Sequence, residues 1–286
     1  MNQSKPKYRK LSSLSFVLVA LVCCGYSIFQ TSSIASFSAA YGSSPASNKA
    51  STLKANSFLY RKIEGFGLNM YVVQLSNTSK PQEIRFQAPY THQMWLGADG
   101  SGRIQRTDGK PEFLSAQDRV IWEAAGKPKL SSRSFTIDHK AGELSDPTVL
   151  PLDITALAQT IRNRAKQNNI PIEGAMFDET LSILVTLQTK AELRRPLFEV
   201  MANIPGVKRS ENVTDPQGRA GISLSYTDTQ AGKQTRVIFE PQTYDVLSDE
   251  IVLLKRVPEL NVSTPFVLSW TTYSVPKAVA STSDVP

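Results

Sequence analysis

Asp153-Ile154-Thr155-Ala156-Leu157-Ala158-Gln159-Thr160-Ile161-Arg162-Asn163-Arg164-Ala165 reads as an amphipathic helix. The Asp153 carboxylate can cap free N–H groups, and Ile154, Leu157, Ala158, Ile161 and Ala165 share one face at helical spacing. A second helix is predicted from about Glu173 to Gln188, with Phe177, Leu181, Leu184 and Leu187 on its apolar side. Asp178 and Glu179 are read as acids at a helix start, where they complement the dipole. Thr189 and Glu192 have capping-box spacing for a third helix ending at Ile204-Pro205-Gly206, and Pro196 inside it predicts a kink.

Strand signals lie on both sides of these helices. Phe58 to Ile63 and Leu68 to Leu75 are rich in Tyr, Phe and Val, with Glu64-Gly65-Phe66-Gly67 between them as a turn signal. In Glu83 to Ala98, Ile84, Phe86 and Ala88 fall on one face, and Pro89 predicts a bulge or an edge. Asp99-Gly100 between apolar runs predicts a type I′ hairpin, which needs positive φ. After the helices, Gly221 to Tyr226, Thr235 to Phe239, Val246 to Leu254 and Pro265 to Tyr273 read as strands. Asp215-Pro216-Gln217-Gly218 and Glu240-Pro241-Gln242-Thr243 are turns between them. Strands, then helices, then strands predict an α+β fold: a curved, mostly antiparallel sheet with a helical cover.

The chain has 286 residues and a formal charge of +7. Lys5, Lys7, Arg9 and Lys10 place +4 of it in residues 1–10, and residues 11–40 carry no charge. The rest is nearly balanced, which argues against a nucleic-acid binder with a basic face. A basic start followed by an apolar run through Phe16-Val17-Leu18-Val19-Ala20-Leu21-Val22 is the pattern of export. Ser38-Ala39-Ala40 fits a cleavage site, while the length of the run, close to the roughly 20 residues a span needs, fits an uncleaved anchor. Residues 1–10 are thus a basic cytoplasmic N-terminus, 11–30 a transmembrane anchor or signal h-region and 31–56 a flexible tether. Residues 57–276 form the exported domain, and 277–286 a disordered tail. Cys23 and Cys24 both lie in the apolar run, so the exported part has no disulfide and no thiolate metal site.

No catalytic constellation is legible. His92 and His139 are far apart, and no H-E-x-x-H, G-x-S-x-G or Walker pattern occurs. Ser51-Thr52-Leu53-Lys54 spells S-x-x-K inside the tether, without the fixed base that a nucleophile requires. Asp99-Gly100-Ser101-Gly102 lacks the alternating carboxylates of a calcium loop. Trp95, Trp122 and Trp270 read as core residues, with Trp95 the alternative candidate to line a ligand groove. Arg194-Arg195 and Lys208-Arg209 read as solvated basic pairs. The sequence assigns no catalytic, metal or cofactor residue.

The run Trp95-Leu96-Gly97-Ala98-Asp99-Gly100-Ser101-Gly102-Arg103 resembles an element of uncharacterised, membrane-anchored exported proteins of actinobacteria and related Gram-positive bacteria. Ile204-Pro205-Gly206-Val207, Val213-Thr214-Asp215, Gly218-Arg219-Ala220-Gly221-Ile222 and Val237-Ile238-Phe239-Glu240-Pro241-Gln242-Thr243 are similar to the same family, in the same order. Members have a longer cytoplasmic tail than the ten residues here. The resemblance implies a lipoprotein-carrier-like fold, in which a curved sheet cradles an apolar ligand, and no established catalytic residues. The expectation is a non-enzymatic domain at the extracytoplasmic face of the membrane, or secreted, that binds a lipid-like ligand or an envelope partner. A single-pass envelope-stress sensor is the second reading and an envelope hydrolase the third.

Overall fold

The computed structural model of the chain describes residues 57–75, 78, 80–130, 134–144, 149–166 and 171–286. The N-terminal basic, apolar and tether segments, both cysteines and Ser51 lie outside them. Among the described residues no helix is long and apolar enough to cross a membrane. In chain order the elements are β1 (Phe58–Val73), β2 (Gln82–Gly97), β3 (Gly102–Asp108), β4 (Glu112–Phe113), α1 (Ala116–Ala124) and β5 (Phe135–His139). Then come α2 (Ile154–Ala165), α3 (Ile172–Leu184), α4 (Ala191–Ala202), β6 (Lys208–Thr214), β7 (Ala220–Asp228), β8 (Lys233–Phe239) and β9 (Val246–Leu253). A 3₁₀ turn (Pro258–Leu260), β10 (Phe266–Tyr273) and β11 (Lys277–Val279) complete the order.

The strands form one sheet in the order β5-β3-β2-β1-β10-β9-β8-β7-β6, with β11 beside β1 and β4 beside β2. Every pairing is antiparallel. The α+β class with a mostly antiparallel sheet is thus as the alternation of strand and helix signals predicts. Side chains alternate across a strand, so one face collects every second residue. On β2 the even-numbered positions from Ile84 to Met94 share a face. Met94 packs with Leu157, Ile161, Phe177, Leu197 and Phe198 of α2–α4. Ile84, Phe86 and Ala88 pack with Ile121 of α1. Both helical groups therefore lie on this inner face, at different places along it.

α2 begins where Asp153 predicts, with its carboxylate accepting from the Ala156 N–H at 2.9 Å. Leu157, Ile161 and Ala165 are fully buried. Arg61 of β1 fixes the other end of the helical group. Its guanidinium lies over the Tyr273 ring, 5.0 Å from the centroid. It donates to the carbonyls of Val185 (3.2 Å), Ser274 (3.2 Å) and Val246 (3.4 Å). Val185 is the C-cap of α3, where a cation complements the helix dipole.

Several local expectations change. Glu64-Gly65-Phe66-Gly67 makes no turn: β1 runs through it, paired with β2 from Phe58 to Val73. The glycine at 65 serves close approach instead. A Cβ there would collide with the Trp270 carbonyl and stand 3.0 Å from the Tyr90 hydroxyl. Pro89 causes no bulge against β1, because its missing N–H falls between the pairings of β2 with β3 and with β4. The Asp99-Gly100 hairpin forms, but only Gly100 has positive φ (76°), so it is not type I′. The Asp99 carboxylate accepts from the Ser101 N–H at 2.9 Å. Thr189 does not cap α4. Its hydroxyl turns back to Thr186 (2.8 Å) and the Ile183 carbonyl, and Lys190 occupies the N-cap without a side-chain bond. α3 ends at Leu184, and Asp178 lies in mid-helix, with Glu173 in the first turn. The tail is ordered: β11 pairs β1, and the Asp284 carbonyl accepts from the Trp95 indole at 2.8 Å.

Replacing Gly65 with alanine is expected to cost about 1–3 kcal/mol, the usual range for overpacking. Gly67→Ala meets only the Ser269 Cβ, at 4.0 Å, and is expected to change stability by no more than about 0.5 kcal/mol. Urea unfolding of the two variants checks the contrast.

Candidate functional site

Between the part of the inner face packed by α2–α4 and the part packed by α1 lies a band whose middle residues, Asp249, Ile251, Thr271, Ser269, Gly65 and Gly67, belong to neither hydrophobic cluster. The sheet register defines it. One row runs Val237, Asp249, Thr271, Gly65, Tyr90 across β8, β9, β10, β1 and β2. The next runs Tyr226, Thr235, Ile251, Ser269, Gly67, Ala88 from β7 to β2. The second row is small in its centre: Ser269 and Gly67 carry little side chain, and a Cβ at Gly67 would touch only the Ser269 Cβ, at 4.0 Å. Ile251, Ser269 and Gly67 are half-buried although they sit in the middle of a broad sheet.

Polar groups converge on the first row. Without a side chain at Gly65, Tyr90 lies across β1 and its hydroxyl reaches the Thr271 Oγ1 at 3.1 Å. Tyr273 donates to the Asp249 Oδ2 at 2.7 Å. Asp249 Oδ1 has no protein hydrogen bond among the described residues. Nor is it a sealed orphan, so it opens into the band. Burial pushes Asp249 up to about 6, against the bond from Tyr273; Glu250 and Asp178 push the same way. Burial likewise raises the Tyr90 phenol and lifts Tyr273 well above the ordinary range.

On the β3 side, Arg106 lies over the Tyr90 ring (4.6 Å), pairs with Asp108 (2.6 Å) and bonds His92 Nε2 at 2.9 Å. Burial and the Arg106 charge lower His92 to about 4, so it is neutral at pH 7. On the helical side, Asp178 of α3 is open to water. The protein around it still raises its carboxyl first of all; Lys233 opposes that shift and Asp228 adds to it.

The remaining sequence candidates do not assemble. His139 lies on β5 and faces Glu143 at 3.5 Å, apart from His92 on β2. Trp95 is 2% exposed on the opposite face of the sheet, under the tail, and lines no part of the band. Trp270 is on that opposite face too, edge-on to Phe66. Trp122 on α1 packs on Phe113. Among the described residues no group of three or more His, Cys, Asp or Glu could hold a metal ion. A depression of about 450 Å³ lies on the opposite face, lined in part by Tyr60, Lys62, Gln93, Lys277 and Pro286. It gathers none of the groups with shifted pKa, which converge on the inner band instead. Sequence reading missed Tyr90, Thr271, Asp249 and Tyr273, because only register brings them together.

No family model matches the chain, and neither a curated protein nor a solved structure matches it.

Asp249 and His92 act on stability in opposite directions. A raised carboxyl stabilises the fold below its unfolded value of 3.8, and that contribution is lost as pH rises through about 6. A lowered imidazole costs stability as pH falls from 6.5 through about 4. Comparing Asp249→Asn with the parent isolates the first. The variant is expected to gain thermal stability relative to the parent between pH 4 and pH 8, with the gap set around pH 6. Melting curves across that range check it.

Proposed function

We propose that this chain is a non-enzymatic ligand-binding domain, held at the extracytoplasmic face of the membrane or released from it. Its ligand is elongated and mainly apolar, and lies in the inner-face band. The observation that carries this reading is the row Tyr226, Thr235, Ile251, Ser269, Gly67, Ala88. A sheet centre is ordinarily filled by large apolar residues; small ones there leave room for something else. Apolar clusters border the row on both sides, so a chain-like ligand crossing it would meet apolar walls at each end.

The resemblance of Trp95 to Arg103 and the later motifs to membrane-anchored exported proteins supports the same reading, as does their implied curved sheet around an apolar ligand. The basic and apolar segments in residues 1–30 support a place at the membrane. The absence of a legible nucleophile–base pair in the sequence is the ground for calling the domain non-enzymatic, and its nearly balanced charge the ground for excluding nucleic acid.

Gentle purification of the full chain, followed by organic extraction and mass spectrometry, tests this. One apolar ligand per chain is expected. Gly67→Leu is expected to fold, with a melting temperature close to the parent's, and to lose the ligand. A parent chain that yields nothing apolar, with Gly67→Leu indistinguishable from it, overturns the reading.

A further inference from the structure

The band has one chemically distinct end. Asp249 offers an oxygen without a protein partner among the described residues. Thr235, directly across β8–β9 from Ile251, is only 7% exposed, yet its hydroxyl makes no hydrogen bond among the described residues. That hydroxyl oxygen is not among the sealed, unpartnered atoms, so it is reachable by water. Here the inner face on which it stands is the band itself. Thr235 and Asp249 lie on neighbouring strands and adjacent rows, so one ligand group could reach both.

The charges that face this end come from four elements. α3 supplies Glu173 and Asp178, β7 supplies Asp228, β8 supplies Lys233 and β9 supplies Asp249. Four carboxylates therefore stand against one ammonium. The cations elsewhere on the inner face are engaged. Arg106 is paired with Asp108, and Arg61 is held by three carbonyls. His92 beside Arg106 is neutral at pH 7. An anionic head would meet this excess of negative charge, and a neutral one would leave it uncompensated.

We propose that the ligand of this band carries a protonated amine on its apolar chain, and that the amine binds Asp249 Oδ1 and the Thr235 hydroxyl, with Asp178 facing it. This rests on the ligand-binding reading above and names the class of ligand. An ammonium has three donors and no acceptor, which suits a carboxylate oxygen and a hydroxyl oxygen that both lack donors. Charge-assisted bonds of this kind are the stronger ones. Tyr273 is a positioning residue: its bond to Oδ2 turns Oδ1 toward the band.

The test uses the full chain in nanodiscs, with protein-free nanodiscs subtracted. Octylamine, octanol and octanoate compete with a fluorescent alkyl probe. Octylamine is expected to displace it at a concentration about tenfold or more below the other two, the range for a hydrogen bond to a charged group. Asp249→Asn is expected to bring octylamine to the level of octanol. Asp178→Asn, on an exposed helix surface, is expected to weaken octylamine alone, which keeps the test valid if the first variant folds poorly. Equal displacement by all three, with Gly67→Leu abolishing it, leaves the ligand-binding reading standing and overturns the amine. Displacement by ethylamine as effective as that by octylamine overturns the chain-bearing class. A probe that never binds the parent chain removes the ligand-binding reading, and the amine with it.

Discussion

The backbone pairing of β1 holds the molecule together. This 16-residue strand comes first among the described elements, yet it sits between the two halves of the sheet. On one side it pairs with β2 along its whole length, which brings in β3, β4, β5 and α1. On the other it pairs with β10 over Ile63 to Gly67 and with β11 over Phe58 to Tyr60, which brings in everything from β6 onward. The contacts between β1 and β10 close a loop of about two hundred residues, so they form only once both ends of the domain are in place. Arg61, on the same strand, adds the helical group by holding the end of α3.

That constraint also shapes the candidate site. β1 must pass close to β10, and Gly65 lets it do so against the Trp270 carbonyl. The same missing side chain lets Tyr90 reach Thr271 across the strand. One glycine thus serves both sheet closure and the polar row, and Gly67, two residues on, adds no side chain to the next row. The acidic surroundings of Asp249 follow from where α3 lies. Asp178 and Asp249 are distant in sequence and repel one another only because the helix is laid over β7–β9.

Local patterns carried much of the fold. α2 was legible because an Asp cap and a 3.6-residue apolar period coincide, and both are effects of neighbouring residues. β7, β8, β9 and β10 were legible as runs of β-branched and aromatic residues between Pro- or Gly-containing turns. Failures occurred where a residue's role depends on a distant partner. Gly65 looks like a turn because a glycine's freedom is visible in sequence and the approach of another strand is not. Thr189 has the spacing of a cap, but its hydroxyl is taken by Thr186 and Ile183. α1 has a clear Ser115 cap, yet what anchors it is the bond from the Arg85 N–H to Asp118 at 2.9 Å, made across more than thirty residues. Lys277 to Val279 is too short to declare a strand, and becomes one by pairing with β1 over Phe58 to Tyr60.

The class of the fold and the alternation of its elements are written in consecutive residues, as helical and strand periods. The sequence also carries the charge distribution that places the basic excess at the N-terminus. Which residues meet is set by the register of the folded sheet. Tyr90, Thr271, Asp249, Tyr273, Thr235 and Gly67 come from five strands, and nothing in their local sequence marks them. A sheet's register brings residues together sideways, across strands distant in the chain. A pairing such as Tyr273 with one oxygen of Asp249, or Tyr90 with Thr271, exists only after that register is set.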